Sequence, residues 1–477
     1  MGSKAPFLTV VVAFLVLGTL YALYTPPWQA PDEPAHYNYI AFLVREGRLP
    51  VLEMGDYPHL YLEEIKSRRF PPEMSIEPIR YEFHQPPLYY LLASPVYALT
   101  GGNLIALRLL SMAIGAGVVT VAFLIVRELL PEKPELAVGA AAFAAFVPMH
   151  IAISASVNND ALAELFIGLF LLETVRLIKE GFPEKALWRP SLFIALGFLT
   201  KTTAYISFVL YPVIFAVYAY RRISWSRGVR SFVLSLWPLL FTLPWFVRNM
   251  AVYGPSDPFG LSRHDAVVVG QPRTMEWVES MGIWSVLRAF LLTSFRSFWG
   301  QFGWMAVPMD ERIYALLFLA SFLALWGLLL WLPRGWRELK EFQHLGFILL
   351  ALSFAFTALS FIWYNLKFVQ HQGRYLFPAL IPIGFGFSLG LREGLRRRAM
   401  AGAGLIFILL AFALVLKGFL TSDWNRFTLA IALLGAVGCG IKALLPERWD
   451  HFFFGLFFAG LAALSALCPF IYIKPYL

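Results

Sequence analysis

The stretch Pro6–Tyr37, PFLTVVVAFLVLGTLYALYTPPWQAPDEPAHY, joins an uncharged apolar segment directly to a proline-rich acidic turn. Its apolar part, Pro6–Tyr24, has the length that a helix needs to cross a bilayer, roughly 17–25 residues. It follows a single basic residue, Lys4, and no small-residue cleavage site comes after it. We therefore predict a retained first transmembrane helix with a cytoplasmic N-terminus.

The composition extends this interpretation to the whole chain of 477 residues, of which 59% are hydrophobic and 14% charged. Soluble globular proteins carry about 25% charged residues. Apolar stretches of spanning length recur along the sequence with short charged segments between them. The fold class predicted is all-α, a polytopic transmembrane helical bundle with no separate soluble domain. Cys439 and Cys468 both lie inside apolar runs, which argues against a disulfide framework or a cysteine metal site.

The net charge of +9 matters through its placement, because basic residues collect in cytoplasmic loops. This bias predicts about thirteen spans and no nucleic-acid partner. The predicted cytoplasmic loops are Arg127–Glu135, Arg176–Arg189, Tyr220–Arg230, Arg334–His344, Leu391–Arg398 and Leu445–Asp450. The predicted outer segments are Ser154–Asp160, Thr200–Thr203, Asn249–Arg312, Asn365–Arg374 and Thr421–Arg426.

The charge bias is satisfied only if Pro87–Leu99, which is too short to span, lies at the outer surface as an interfacial helix. Trp28 to Asn103 then forms one long outer loop. We accordingly expect a membrane core over residues 1–220 with a first outer loop at 26–104. The remaining bundle would cover 221–477, with an outer loop at 249–312.

The acidic turn Pro31-Asp32-Glu33-Pro34 is the first candidate site. A carboxylate is a usual general base for an acceptor hydroxyl, so Asp32 and Glu33 are candidate catalytic residues, and residue type does not decide between them. His36 and Tyr37 follow them and are candidate binding residues. The alternative is a plain helix start, with Asp32 as N-cap and Glu33 favouring the helix dipole.

The string Tyr81-Glu82-Phe83-His84-Gln85-Pro86-Pro87-Leu88-Tyr89-Tyr90 is the second candidate region. Its tyrosines suit an aromatic belt at the membrane surface, and Tyr89 is also a candidate binding residue. His84 has three interpretations: it orients an acceptor, ligates a divalent cation, or is a solvated loop histidine.

Asn159 and Asp160, in Ser156-Val-Asn-Asn-Asp, precede a predicted span and either cap that helix or bind substrate. Arg108, one turn into the preceding span on the same side, is the expected counter-charge of Asp160. An arginine inside the membrane indicates function by default, although an Arg108–Asp160 ion pair would satisfy the same physics.

Three further cations end apolar runs on the predicted outer side: Lys201, Arg248 and Arg374, the last between Gln372 and Tyr375. Together they would form a pocket for a phosphate group, since arginine binds phosphate bidentately and lysine as a point charge. Separately, each would be a snorkelling flank. No Walker A loop, dinucleotide fingerprint, zinc-protease motif or nucleophile elbow is present, which argues against nucleotide-driven chemistry.

The order of these motifs resembles the GT-C superfamily of integral membrane glycosyltransferases. Within it, the chain resembles the protein mannosyltransferase and lipid A aminoarabinose transferase branch, and also a less characterised group of GT-C-like prokaryotic membrane proteins. The motifs are Pro-Asp-Glu-Pro-x-His, His-x-Pro-Pro-Leu-Tyr-Tyr, Arg108-Leu-Leu-Ser, an Asn-Asp helix start, a Leu-Thr-Lys break and Gln372-Gly-Arg-Tyr-Leu-Phe-Pro.

The resemblance implies roles for single positions. Asp32 matches the catalytic aspartate of the first outer loop, with Glu33 as its acidic neighbour, and Asp160 matches a second acidic position. Lys201 and Arg374 match candidates for the donor phosphate. His84 stands where aminoarabinose transferases have a glutamate suspected of binding metal, so no cofactor is assigned and a divalent cation is left open.

The function implied is a glycosyltransferase in the cell inner membrane, part of the cell envelope machinery, with its active site on the extracytoplasmic face. It would move a sugar from a polyprenyl-phosphate donor to an extracytoplasmic lipid, glycan or protein, with inversion. Asp32 would act as base, while Lys201, Arg248 and Arg374 would stabilise the phosphate leaving group. The alternatives are a transporter or flippase of lipid-linked sugars, and a lipid-linked glycan ligase or polymerase.

Overall fold

The computed structural model describes residues 4–222 and 225–477 of the chain. Residues 223 and 224 of the predicted cytoplasmic loop Tyr220–Arg230 lie outside the described residues. The first half of the chain forms eleven α-helices: α1 Lys4–Tyr24, α2 Glu33–Glu46, α3 His59–Ser67, α4 Leu88–Thr100, α5 Leu104–Leu129, α6 Pro134–Phe146, α7 Pro148–Ser154, α8 Asp160–Glu180, α9 Trp188–Phe198, α10 Ile206–Arg222 and α11 Trp225–Ser235.

The second half is also helical apart from one small hairpin. Its helices are α12 Leu243–Tyr253, α13 Leu261–Val267, α14 Thr274–Met281, α15 Ile283–Trp299, α16 Glu311–Glu338, α17 Glu341–Lys367, α18 Leu380–Gly394, α19 Arg397–Thr421, α20 Arg426–Leu444, α21 Asp450–Cys468 and α22 Lys474–Tyr476. The strands β1 Gln301–Phe302 and β2 Val307–Pro308 pair antiparallel. Short 3₁₀ turns occupy Tyr81–His84, Glu184–Ala186, Thr202–Tyr205, Trp237–Thr242, Gly373–Ala379 and Glu447–Trp449, and a π-helical turn occupies Pro469–Ile473.

The predicted all-α transmembrane bundle is confirmed, but the count of thirteen spans is not. Nine helical stretches of the described chain are long and apolar enough to cross a membrane, or ten if the bent pair α6 and α7 is one span. α8 has sufficient length, but six of its 21 residues are charged. The predicted interfacial segment Pro87–Leu99 corresponds to α4, which has 13 residues and is apolar but short.

The bend between α6 and α7 is 64° and has a local cause. Pro148 has no N–H to donate to the carbonyl of Ala144. His150 Nδ1 lies 2.6 Å from that carbonyl and hydrogen-bonds it instead. The bend turns the chain toward Ser156–Asp160, so that the start of α8 approaches the loop that follows α1.

Small residues bring the central helices into close contact. α6 contains six alanines and is buried along most of its length, and it packs against α1, α5 and α18. α16 and α18 approach so closely that a Cβ at Gly327 would lie 2.0 Å from the carbonyl oxygen of Gly390. Close packing of small residues is the usual basis of helix association in membranes.

The two long loop regions predicted on the outer side, 26–104 and 249–312, pack on each other. Leu52 N donates to Tyr253 Oη at 3.0 Å, and Arg263 Nε donates to Leu52 O at 3.0 Å. Trp304 Nε1 donates to Trp28 O at 3.0 Å. These contacts join the two loop regions, and the acidic turn Pro31–Pro34 belongs to the first of them.

Candidate active site

Asp32 immediately precedes α2 and has left-handed backbone angles, φ 66° and ψ −7°. Asp is among the few non-glycine residues that adopt this region readily. Asp32 is the N-cap residue of α2 and Glu33 lies in its first turn, as the helix-start alternative predicts, but the Asp32 side chain makes no capping hydrogen bond to that helix. The backbone turn instead directs the carboxylate away from the helix and toward other parts of the chain.

Each oxygen of the Asp32 carboxylate has its own partner. Tyr81 Oη donates to Oδ1 at 2.7 Å, and Arg374 Nη2 donates to Oδ2 at 2.5 Å. Burial raises the pKa of the Asp32 carboxyl, but the Arg374 guanidinium outweighs burial and holds this pKa well below its ordinary value. Asp32 is therefore ionised at neutral pH, and 24% of its side chain remains exposed.

Arg374 is placed by a glycine that precedes it. A Cβ at Gly373 would lie 2.2 Å from Ser294 O, inside α15, and Gly373 N donates to Ser297 Oγ at 2.7 Å. Only glycine permits so close an approach of two backbones. Arg374 Nε then donates to Gln372 Oε1 at 2.8 Å, and the guanidinium lies 5.4 Å from the ring centre of Tyr375.

Glu33 points to the opposite side of the turn from Asp32 and is fully buried. Arg108 binds it bidentately, with Nε to Oε1 at 2.8 Å and Nη2 to Oε2 at 2.6 Å. The backbone N–H groups of Trp28 and Val157 donate to the same carboxylate. The remaining Arg108 donors reach the carbonyls of Ala22, Thr25 and Pro26. All of these polar groups are satisfied within the protein, which is the pattern of a structural clamp.

The expected Arg108–Asp160 pairing is wrong, because Lys201 is the partner of Asp160. Lys201 Nζ lies 2.5 Å from Asp160 Oδ1. The lysine occupies the break between α9 and α10, at the point predicted from Thr200-Lys-Thr-Thr. Asn159 fixes this break, since its Nδ2 donates to Thr200 O at 2.9 Å. Arg108 is not available to Asp160, because its donors bind Glu33 and three backbone carbonyls around the end of α1.

The pairs Asp32–Arg374 and Asp160–Lys201 form one charged cluster. The charges of Lys201 and Arg374 both act on Asp160, and His36 lies near both Asp32 and Asp160. His36 itself hydrogen-bonds Tyr90 Oη through Nδ1 at 2.8 Å. Burial lowers the pKa of His36, which leaves the imidazole neutral at pH 7.

His84 lies at the edge of this cluster, in a 3₁₀ turn. Its Nδ1 lies 3.0 Å from Tyr81 O, and its ring centre is 4.3 Å from that of His264. Burial lowers the pKa of His84 to about 4 and that of His264 to about 3. Both imidazoles are therefore neutral, and the solvated-loop interpretation of His84 is wrong because the side chain is buried.

Three predicted residues have partners elsewhere. Tyr37 Oη donates to Gly102 O at 2.9 Å, and Tyr89 Oη hydrogen-bonds Ser111 Oγ at 2.7 Å. Arg248 donates to Pro50 O and lies over the rings of Trp245 and Tyr253. Of the three predicted cations, Arg374 binds the acidic turn and Lys201 joins the same cluster through Asp160, while Arg248 joins the second loop region to the first.

The sequence prediction missed Glu82, which is 9% exposed. Its charge acts on His36, Lys201 and His264. Glu82 stands beside Tyr81 in the second candidate region, in which His84 was the predicted site residue. The sequence shows it only as a carboxylate between the aromatic residues Tyr81 and Phe83, and its burial is visible only in the structure.

The arrangement of the site residues bears on whether a divalent cation could bind among them. In the described part of the chain, no three His, Cys, Asp or Glu residues are close enough together to hold a metal ion. Asp32 and Asp160 each bind a cationic side chain, so both carboxylates are neutralised without a metal ion. The carboxylates and histidines of the site therefore do not fit a metal ion.

Comparison with known proteins places this arrangement in a known fold. The chain superposes on ArnT from Cupriavidus metallidurans bound to undecaprenyl phosphate, with a TM-score of 0.50 and 14% identity. The match covers 97% of this chain and 76% of that one. The chain has the GT-C fold. The resemblance predicted from its motifs is confirmed at the level of the fold.

Further matches of this GT-C-fold protein are weaker. Residues 84–247, about a third of the chain, match the family model of the dolichyl-phosphate-mannose-protein mannosyltransferases. The Archaeoglobus fulgidus oligosaccharyltransferase in its apo form gives a TM-score of 0.47 at 13% identity. That match covers 97% of this chain but 56% of the longer protein. No curated protein sequence matches.

Proposed function

We propose that this protein is an inverting glycosyltransferase that takes a sugar from a polyprenyl-phosphate donor and transfers it to an extracytoplasmic acceptor. The observation that carries the proposal is the cluster in which an ionised, partly exposed Asp32 meets Arg374 and lies near Lys201. A general base and two phosphate-binding cations are what such a transfer needs. The GT-C fold and the mannosyltransferase match over residues 84–247 support the same class of reaction.

Asp32 is the proposed base, and Glu33 is a structural residue. The four hydrogen bonds to Glu33 come from Arg108 and two backbone amides, so its oxygens are not available to an acceptor. Asp32 has only two such bonds and is partly exposed. In the reaction, the acceptor hydroxyl transfers its proton to Asp32 as its oxygen attacks the anomeric carbon. The bond from that carbon to the phosphate oxygen breaks on the opposite face.

Lys201 and Arg374 are the proposed ligands of the donor phosphate, which becomes the leaving group. A preorganised cation at the developing charge lowers the barrier by several kcal/mol. Both cations are paired with carboxylates before the donor binds, so the donor phosphate would compete with Asp32 for Arg374. This competition loosens the pair and raises the basicity of Asp32 when the donor is in place.

The proposed location is the extracytoplasmic face of the cell inner membrane. The site residues lie in segments predicted to be on the outer side, and the loops predicted to be basic and cytoplasmic do not contribute to it. A donor attached to a membrane lipid suits this face, where nucleotide sugars are absent. The second half of the chain, from residue 221, supplies Arg374, so the two halves of the predicted domain division share one site.

The test is transfer by the purified full chain in detergent with undecaprenyl phosphate linked to glucose, galactose or mannose. Asp32→Asn should lower turnover by about 10²- to 10⁴-fold. Asparagine keeps the left-handed backbone angles, so the change removes the base with little effect on folding. Asp56→Asn is the matched control, because Asp56 lies in the same loop and its side chain accepts a hydrogen bond from the neighbouring backbone N–H of Glu53.

Two outcomes would contradict the proposal. Near-wild-type turnover by Asp32→Asn removes Asp32 as the base. A product with the same anomeric configuration as the donor, measured by the coupling constants in its proton NMR spectrum, excludes a single inverting displacement.

A further inference from the structure

Glu82 is the carboxylate of the cluster that has no cationic partner. Asp32 binds Arg374, Asp160 binds Lys201 and Glu33 binds Arg108. Within residues 4–222 and 225–477, no lysine or arginine forms an ion pair with Glu82, and its Oε2 is buried without a hydrogen-bond partner. A buried carboxylate oxygen without a partner is costly, so its retention calls for an explanation.

The backbone around Glu82 is held firmly. Glu82 O accepts a hydrogen bond from Gln85 N at 2.9 Å, and the neighbouring Tyr81 hydroxyl binds Asp32. Leu88 N, a few residues further, donates to Leu199 O at 2.8 Å, which ties this segment to the break that carries Lys201. The 3₁₀ turn therefore fixes Glu82 beside the two ion pairs.

The surroundings favour a neutral hydrogen-bond donor as the ligand of Glu82. The charge of Glu82 already acts on Lys201. A second cation beside the Lys201 ammonium would be repelled by it. Hydroxyl groups avoid this repulsion, and a carboxylate accepts about four hydrogen bonds through its two oxygens.

We propose that Glu82 binds hydroxyl groups of the donor's sugar ring and so selects the glycosylated lipid over the bare lipid phosphate. The inference rests on the proposed function, which assigns Lys201 and Arg374 to the donor phosphate. The sugar is linked directly to that phosphate, so it would lie close to the two cations and to Glu82. Glu82 is then a specificity residue for the polyhydroxylated ring, while the two cations bind a group common to donor and product.

The experiment compares the binding of two lipids to the full chain in detergent. One is undecaprenyl phosphate, and the other is the undecaprenyl-phosphate hexose, among glucose, galactose and mannose, that the wild type turns over fastest. Glu82→Gln and Glu82→Ala should weaken binding of the sugar-bearing lipid by about 10- to 100-fold, because hydrogen bonds to charged groups contribute about 1.5–3 kcal/mol. Binding of undecaprenyl phosphate should be unchanged.

Controls separate this result from loss of folding. Glu73→Gln changes an exposed acid of the same loop, paired with Arg68 at 3.0 Å, and should bind both lipids like the wild type. Asp32→Asn should retain the preference for the sugar-bearing lipid while losing turnover. A deoxy sugar that lacks the contacted hydroxyl should bind the wild type about as weakly as the normal sugar binds Glu82→Ala.

Several results would overturn the inference. If the Glu82 variants bound both lipids equally more weakly than the wild type, Glu82 would be a structural residue. If they bound both lipids like the wild type, Glu82 would not belong to the site. Raised KM for the acceptor alone would assign Glu82 to the acceptor. Loss of the preference on adding EDTA would show that a metal ion mediates the contact. A wild-type chain that binds neither lipid would overturn the proposed function, and this inference with it, whereas a wild-type chain that binds both lipids equally would overturn this inference alone.

Discussion

Asp32 and Arg374 lie 342 positions apart in the chain and form an ion pair at the centre of the charged cluster. Arg374 holds Asp32 in its ionised form, and Asp32 keeps Arg374 in place for an anion. The pair joins the first loop region to the turn before α18. The base and the phosphate-binding cation of the proposed reaction therefore depend on each other.

Arg374→Gln should move the acid limb of the pH profile. Without the guanidinium, burial raises the pKa of Asp32 against the remaining Tyr81 hydrogen bond, by about 1–3 pH units relative to the paired state. In kcat/KM measured against pH, the wild type should stay flat on the acid side to pH 5, and the variant should lose activity at higher pH. Donor KM should also rise. An acid limb at the same pH in both proteins would contradict the assigned cause.

Arg108→Ala should destabilise the protein by about 3–5 kcal/mol, because it leaves the Glu33 charge buried and unpaired. Arg108→Lys should not restore stability, since a lysine cannot bind a carboxylate bidentately. Urea unfolding in detergent measures the change. The control is Arg45→Ala, which breaks the exposed pair with Glu77 and should cost less than about 1 kcal/mol. Equal losses in the two variants would contradict the clamp assigned to Glu33.

Gly373→Ala should weaken donor binding although residue 373 contacts no substrate. The added methyl group would meet the backbone of α15 and displace Arg374 from Asp32. We expect a rise in donor KM of at least about tenfold, since a displacement near 1 Å at a site can cost about 100-fold. Gly460→Ala is the control, because a Cβ there meets nothing within 4 Å. A donor KM like that of the wild type would show that Gly373→Ala does not displace Arg374, which would contradict the role assigned to the glycine.

His84 should make the protein less stable as the pH falls from about 6.5 to about 4. The folded protein keeps His84 neutral, with its pKa lowered to about 4, whereas the unfolded chain takes up a proton near pH 6.5. Acid therefore favours unfolding in this window, and the contribution is complete below it. Melting temperatures between pH 7.5 and 4.5 should fall less in His84→Gln than in the wild type. Parallel curves would exclude this contribution.

Much of the fold was predictable from local sequence. Apolar runs of spanning length predicted a helical membrane bundle, and the short apolar run before Thr100 predicted the helix that is too short to span. The break at Lys201 was visible as a charged interruption of an apolar run. The number of spans was not predictable, because helices such as α8 carry charges that face partners inside the bundle.

The site was predictable as a set of residue types but not as a set of pairs. Asp32, Asp160, Lys201 and Arg374 were identified because each is a charge at the end of an apolar run. Arg248 has the same local pattern, yet it contacts Pro50, and the sequence left the choice between Asp32 and Glu33 open. Glu82 was not predicted, because what distinguishes it is burial without a partner, which only the structure shows.

The sequence by itself determined that this chain is a membrane bundle with its acidic and basic groups at the ends of apolar segments, because lipid excludes unpaired charge from its interior. The tertiary structure decided which charge meets which. Adjacent carboxylates have the same chemistry in a sequence, and the positive φ of Asp32 sends one toward Arg374 while Arg108 binds the other. Hydrophobic pattern fixes where a residue lies relative to the membrane, whereas ion pairing depends on contacts between distant segments.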